Sequence, residues 1–142
     1  MTGRVIVAGA SMGGLRAAEQ LRAAGWHGAI TVIGAEPHMP YNRPPLSKEV
    51  LAGKAPWESL AFTPRESARD VEWRLGVTVT AARVEERVVE LEGGETLPFD
   101  GLVAATGMRP RRLSCDGPSG PGSGRHTVRA IADARGLRDE LT

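Results

Sequence analysis

Two runs of the chain are apolar at every position, while the stretches between them mix apolar and polar residues, and this contrast predicts the fold class. Val5-Ile6-Val7-Ala8 leaves no polar face, the pattern of a strand covered on both sides in a parallel sheet. Leu102-Val103-Ala104-Ala105 has the same character and is expected to rejoin that sheet beside the first strand, bringing Thr106 and Gly107 to its carboxyl edge. After Gly13 the period changes to that of a helix: Leu15, Ala18 and Leu21 share a face, and Arg16, Glu19, Gln20 and Arg22 take the more polar positions. Gly25 ends the helix, and the β-branched run Ala29-Ile30-Thr31-Val32-Ile33 follows, parallel to the first strand if the crossover is right-handed.

The middle of the chain is less regular. Its prolines keep His38 to Lys48 from forming a regular helix. Short helices are expected over Glu49 to Ala52, stopped by Gly53, and over Pro64 to Arg69, with Thr63 as the cap. Val71 to Leu75, Val77 to Thr80 and Arg83 to Leu91 read as short strands of a β-rich insertion, and Gly93-Gly94 supplies a hairpin turn before Thr96 to Phe99. The Gly, Pro and Ser residues from Ser114 to Gly124 read as a poorly ordered linker. Thr127-Val128-Arg129 is expected to be extended, and Ile131 to Leu141 has weak helical character. The expected division is a domain over 1–113 with a β-meander at about 77–100, a flexible loop over 114–126, and a strand and helix over 127–142.

Composition narrows the function classes. With 41% hydrophobic and 25% charged residues in 142, the chain has the makeup of one globular domain, not of a disordered segment. A net charge of +1 gives no general attraction to nucleic acid or membrane, although Arg109, Arg111, Arg112, Arg125, Arg129, Arg135 and Arg138 make the last third basic and suited to phosphates or an acidic partner. Cys115 is the sole cysteine, which leaves no CxxC pair, intrachain disulfide or cysteine zinc site and fits a reducing, cytoplasmic setting. No export leader or membrane-spanning run is read from the sequence. His27, His38 and His126 are scattered without metal-ligand spacing, so neither a catalytic residue nor a metal ligand is nominated.

The candidate chemistry lies in the turn after the first strand. Gly9-x-Ser11-x-x-Gly14 is a dinucleotide-binding pattern with serine at its middle position: Gly9 permits the tight turn, and Gly14 lets helix and strand approach closely. Ser11 adds bulk where a backbone would meet pyrophosphate, yet its hydroxyl can donate to phosphate, and Gly13 relieves the crowding. The phosphate-facing positions are thus Gly9, Ser11, Met12, Gly13 and Gly14. Glu36 follows the second strand, 22 residues beyond Gly14, where an acid binds a ribose hydroxyl and favours a free ribose over a 2′-phosphorylated one. Arg43 and Lys48 bracket the stiff Pro44-Pro45-Leu46-Ser47 segment, a spacing that suits a diphosphate or an anionic ring.

Taken with Leu15-Arg16-Ala17-Ala18-Glu19, Pro40-Tyr41-Asn42-Arg43-Pro44-Pro45-Leu46-Ser47-Lys48 and Ala104-Ala105-Thr106-Gly107-Met108-Arg109-Pro110-Arg111, the first turn resembles the ferredoxin/rubredoxin reductase family of FAD-dependent pyridine nucleotide oxidoreductases, from Arg4 to about Leu137. The Arg-Pro-Pro-Leu-Ser-Lys segment is the most specific part. The resemblance implies a Rossmann-like three-layer α/β domain for FAD, with a small antiparallel β insertion. It implies that the ADP end of FAD lies over the Gly9 to Gly14 turn with Glu36 near the ribose, Lys48 near the flavin ring, Arg43 flanking the site, Val79 meeting the adenine through its backbone, and Arg129 reaching the cofactor. Ala105, Thr106 and Gly107 join them at the strand edge. It further implies hydride transfer from NAD(P)H to FAD and single-electron transfer to an iron–sulfur ferredoxin-type partner. NAD(P)H would be held by a domain not present in these residues, from a missing half or a partner chain. The absent cysteine pair argues against disulfide reduction. Two alternatives stay open: a catalytically inactive nucleotide-binding or interaction module, and a stand-alone NAD-binding domain, against which the Arg43 to Lys48 loop and Arg129 weigh.

Overall fold

The unbroken apolar run of the first strand is explained by cover on both of its faces. In the computed structural model, which describes residues 3–111, 114, 117 and 122–141, strand β1 (Arg4–Ala8) is central in a four-stranded parallel sheet. Its neighbours are β2 (Ala29–Gly34) and β7 (Gly101–Ala104), and β3 (Glu72–Leu75) lies outside β2, giving the order β3-β2-β1-β7. The register pairs Val5 with Ile30 and Gly101, and Val7 with Val32 and Val103. Alternate side chains therefore serve different cores. Val5, Val7, Ile30 and Val32 pack with Ala18 of helix α1 (Met12–Ala23) and with Ala68 and Val71. Ile6 and Ile33 face the opposite layer and pack with Val89, Leu91 and Phe99.

That second layer is a small antiparallel sheet, β4-β5-β6, made of Val79–Arg83, Val88–Leu91 and Thr96–Pro98. Helix, parallel sheet and antiparallel sheet thus form three α/β layers, as expected of a Rossmann-like domain. The chain divides into two compact units: Met1–Tyr41 with Phe62–Gly107, which holds all three layers, and Asn42–Ala61 with Met108–Thr142, which holds α2 (Ile131–Leu141).

Several expected elements differ. Residues 71–75 do not join the insertion: β3 pairs in parallel with β2, Thr31 opposite Glu72, and the buried Thr31 hydroxyl donates to the Glu72 carboxylate at 2.8 Å. The run from Arg83 to Leu91 is broken by a turn at Val84–Arg87, where Arg87 has φ 54° and its N–H bonds to the Val84 carbonyl at 3.1 Å. The Gly93-Gly94 turn is as expected, with φ 94° and 87°.

No helix forms over Glu49 to Ala52. A 3-10 turn spans Pro44–Ser47, and Lys48, at φ −131° and ψ −114°, leaves the helical region and ends it. The following N–H groups reach back over different spans, Ala52 to Lys48, Gly53 to Val50 and Lys54 to Glu49. Between Pro64 and Arg69 only Glu66–Ala68 makes a 3-10 turn, because extended Arg65 gives its N–H to the Glu19 carboxylate at 3.0 Å. No strand forms over 127–129: the N–H groups of Arg129 and Ala130 bond to Asp133. The expected disordered linker falls partly on residues outside those described, Cys115 among them.

Glu19, placed on the polar side of α1 by its spacing, is buried. Its carboxylate lies 2.5 Å from Arg16 Nη1 and 3.6 Å from Arg65 Nε. Burial pushes this carboxyl up, but the Arg16 hydrogen bond, the Arg65 N–H and both positive charges outweigh that and hold it below the usual carboxylate range. The group fastens the segment after Phe62 to α1.

Candidate functional site

At the carboxyl end of β1 the backbone is held on two sides. Gly9 N–H bonds to the Ile33 carbonyl of β2 at 2.7 Å, and Ala105 N–H, just past β7, bonds to the Ala8 carbonyl at 2.8 Å. Gly9 has φ 120°, and a β-carbon there would run into the carbonyl of Ala105. One at Gly14 would run into the carbonyl of Gly9, so helix and strand meet without room for a side chain. This gives both glycines the roles their spacing suggested. Gly13 is exposed, and a β-carbon added there would meet the Ala105 side chain only at ordinary contact distance.

The N-terminus of α1 opens at this edge. Ser11 occupies the N-cap position with extended backbone, but its hydroxyl makes no capping bond, and the first turn carries no acid. The opening N–H groups of a helix have no intrahelical acceptor, and the helix dipole adds partial positive charge there. Those of Met12, Gly13 and Gly14 open at the sheet edge where β1 and β7 end, the edge past which Thr106 and Gly107 are exposed, the latter at φ 72°. The structure thus brings Gly9, Ser11, Met12, Gly13, Gly14, Ala105, Thr106 and Gly107 to one edge of the parallel sheet. A turn that excludes Cβ atoms and leaves uncapped donors fits a diphosphate.

Glu36 lies two residues past β2, half-buried, and its carboxylate accepts a 2.5 Å hydrogen bond from the hydroxyl of buried Tyr41. Its carbonyl accepts from Gly76 N–H at 3.0 Å, tying the loop to the end of β3. Sequence reading missed Tyr41 as the partner that orients this acid. The sole signal was a lone tyrosine five residues on, in a proline-rich segment. Val79 opens β4 opposite Leu91, half-buried, with a register irregularity before Ala81.

The other three predicted residues belong to the second unit. Arg43, half-buried, precedes the Pro44–Ser47 turn, and its Nη1 donates to the main-chain carbonyl of Arg129 at 2.7 Å. Lys48, which ends that turn, is exposed. Leu46, Val50 and Leu60 are buried in this unit, as are Ile131 and Ala134 of α2, and Arg135 stacks over the Trp57 ring at 5.2 Å. His38 meets Tyr41 edge-on at 6.3 Å, His126 Nε2 lies 2.9 Å from Glu140, and His27 is exposed. Among the described residues no group of three or more His, Cys, Asp or Glu is placed to hold a metal ion, and no helix is long and apolar enough to cross a membrane.

The family model described as pyridine nucleotide-disulphide oxidoreductase matches residues 3–142. The chain belongs to this family. Within it, the chain is 39% identical to a ferredoxin–NAD(P)+ reductase of a Sphingomonas species over 139 residues, covering 96% of this chain and 33% of the relative. It is 38% identical to the ferredoxin–NAD+ reductase subunit of a benzene 1,2-dioxygenase system from Pseudomonas putida, covering 100% of this chain and 34% of that protein. Among solved structures, the covalent putidaredoxin reductase–putidaredoxin complex matches with a TM-score of 0.84 at 34% identity, over 98% of this chain and 34% of that one. The chain spans about a third of the length of these relatives. The pyridine nucleotide-disulphide oxidoreductase fold is thereby assigned to the three layers described above.

Proposed function

We propose that this chain is the FAD-binding portion of an NAD(P)H-dependent, ferredoxin-reductase-type oxidoreductase that passes electrons from NAD(P)H through FAD to an iron–sulfur protein. The observation that carries the reading is the uncapped N-terminus of α1 beside a turn in which Gly9 and Gly14 admit no side chain. The names of the similar reductases support it. FAD, when bound, supplies hydride acceptance and one-electron donation.

This chain's residues bind and orient. The N–H groups of Met12, Gly13 and Gly14, with the unused Ser11 hydroxyl, would hold the pyrophosphate. Glu36, fixed by Tyr41, would accept from the ribose. Val79 would offer its backbone to the adenine, and Ala105, Thr106 and Gly107 would line the strand edge. Lys48 would place a cation near the flavin ring, with Arg43 and Arg129 completing the set. NAD(P)H would be held by a further domain, from the rest of a longer protein or from a partner chain, and the lone Cys115 fits a cytoplasmic setting.

The purified protein is expected to be yellow, with flavin absorbance in the visible. Gly9→Val should abolish FAD retention, and Lys48→Ala, exposed and free of packing cost, should weaken it about tenfold, as expected for one charge-assisted contact. A folded protein that neither binds added FAD nor gains thermal stability from it overturns the proposal.

A further inference from the structure

Three backbone polar groups around Arg129 are held by charged side chains. Asp133, in the first turn of α2, accepts the N–H groups of both Arg129 and Ala130 on Oδ2, each at 2.9 Å. Arg43 donates from Nη1 to the carbonyl of Arg129 at 2.7 Å. The whole peptide group following Arg129 is therefore engaged, carbonyl and N–H together, as is the N–H of the one before it. Charge-assisted bonds of this kind are among the stronger hydrogen bonds a protein makes.

Both clamping side chains stand on ordered segments. Ala134 N–H bonds to the Ala130 carbonyl at 3.2 Å, so Ala130 serves as the N-cap of α2. Alanine has no side chain to cap with, and Asp133 reaches back from the third helical position to do so, as the acid of a capping box does. Ile131 and Ala134 bury this end of the helix. Arg43 precedes Pro44 and Pro45, whose fixed φ angles stiffen the turn that starts there. Arg129 itself is half-buried, with its carbonyl and its N–H both held.

We propose that Arg43 and Asp133 are positioning residues for Arg129, fixing its backbone through the carbonyl and the N–H so that Arg129 has little ordering left to do on binding the cofactor. This assignment rests on the FAD-binding reading, and it changes the part Arg43 plays there: Arg43 acts through Arg129 instead of touching the cofactor.

The test is a double-mutant cycle on FAD affinity, read by flavin fluorescence, with Arg43→Met, Arg129→Ala and the pair combined. Arg43→Met should weaken binding about tenfold alone and have little further effect once Arg129 is alanine, and Arg43→Lys, which restores one donor, should recover part of the loss. Fully additive losses, the signature of a direct Arg43 contact or of general destabilisation, overturn the proposal. A second readout needs no flavin. In the FAD-free protein, nitrogen-15 relaxation should show the Arg129 amide and Nε gaining fast motion in Arg43→Met, and Asp133→Asn should speed amide exchange at Arg129 and Ala130 about tenfold. Unchanged mobility of Arg129 in both variants also overturns it. A wild-type protein that takes up no FAD refutes the FAD-binding reading, while the relaxation data still decide whether Arg43 and Asp133 hold Arg129.

Discussion

Glu19 shows how far a single residue can depart from its pattern position. Helical spacing puts it among the polar residues of α1, yet its carboxylate is buried and shared by Arg16 and the backbone and guanidinium of Arg65. Nothing in the spacing announces this, because the partner that draws it inward comes from a segment 46 residues away. Its folded-state pKa lies below the ordinary carboxylate value. Its contribution is therefore full above the unfolded value, near 4.5, and is lost as pH falls through the lower folded value. Glu19→Gln should cost about 1–3 kcal/mol at neutral pH, the range for losing a charge-assisted buried bond. Thermal melts of wild type and variant should differ most near pH 7 and converge in acid. A gap that persists undiminished to about pH 3 would show that the charge is not what matters.

At the scale of elements, legibility followed the strength of the local pattern. β1, α1 and β2 were readable because a two-sided core demands continuous apolar strands and a one-sided helix demands a stripe, and β7 carries the same apolar pattern although its residues are half-buried or exposed at the sheet edge. β3 belongs to the parallel sheet and not to the insertion, and its sequence did not show this because an edge strand of one exposed and three half-buried residues resembles a strand of an antiparallel insertion. Helices do not form over 49–52 and 64–69 because Lys48 leaves the helical region just before the first and Arg65, within the second, is extended with its N–H on Glu19 from 46 residues away. Gly9 was readable as the residue of a tight turn and Gly14 as a close-approach position, whereas the carbonyls they make room for, Ala105 and Gly9, needed the structure. The antiparallel sheet is fastened chiefly by Val89 and Leu91, nearly solvent-free against Ile6 and Ile33. Leu91→Ala should lower unfolding stability by about 2–5 kcal/mol, the cost of a cavity at a fully buried leucine. Amides of β4 to β6 should exchange faster than those of β1 and β2. Uniform loss of protection across both sheets would mean the two layers open only together.

At the scale of the whole molecule, the decisive limit is the number of dinucleotide turns. Among the described residues, one stretch combines a buried strand, a glycine turn and a helix start, and that is the turn at Gly9 to Gly14. In the proposed function this turn holds the ADP half of FAD, so NADH, which carries its own ADP half, finds no second cradle among the described residues. A nicotinamide must also be held in register against the flavin for hydride to pass, and the binding energy for that comes from remote contacts such as a pyrophosphate cradle. Two outcomes follow for the flavin-loaded chain. Anaerobic NADH should leave the flavin absorbance near 450 nm largely unbleached over a time in which dithionite bleaches it fully. NAD+ at high concentration should instead compete for the turn and weaken FAD binding, an effect that Gly9→Val cannot show because it closes the shared cradle. Rapid bleaching by NADH alone would mean that residues here, or a second copy of the chain, already build a nicotinamide site, and that this portion is a reductase in its own right.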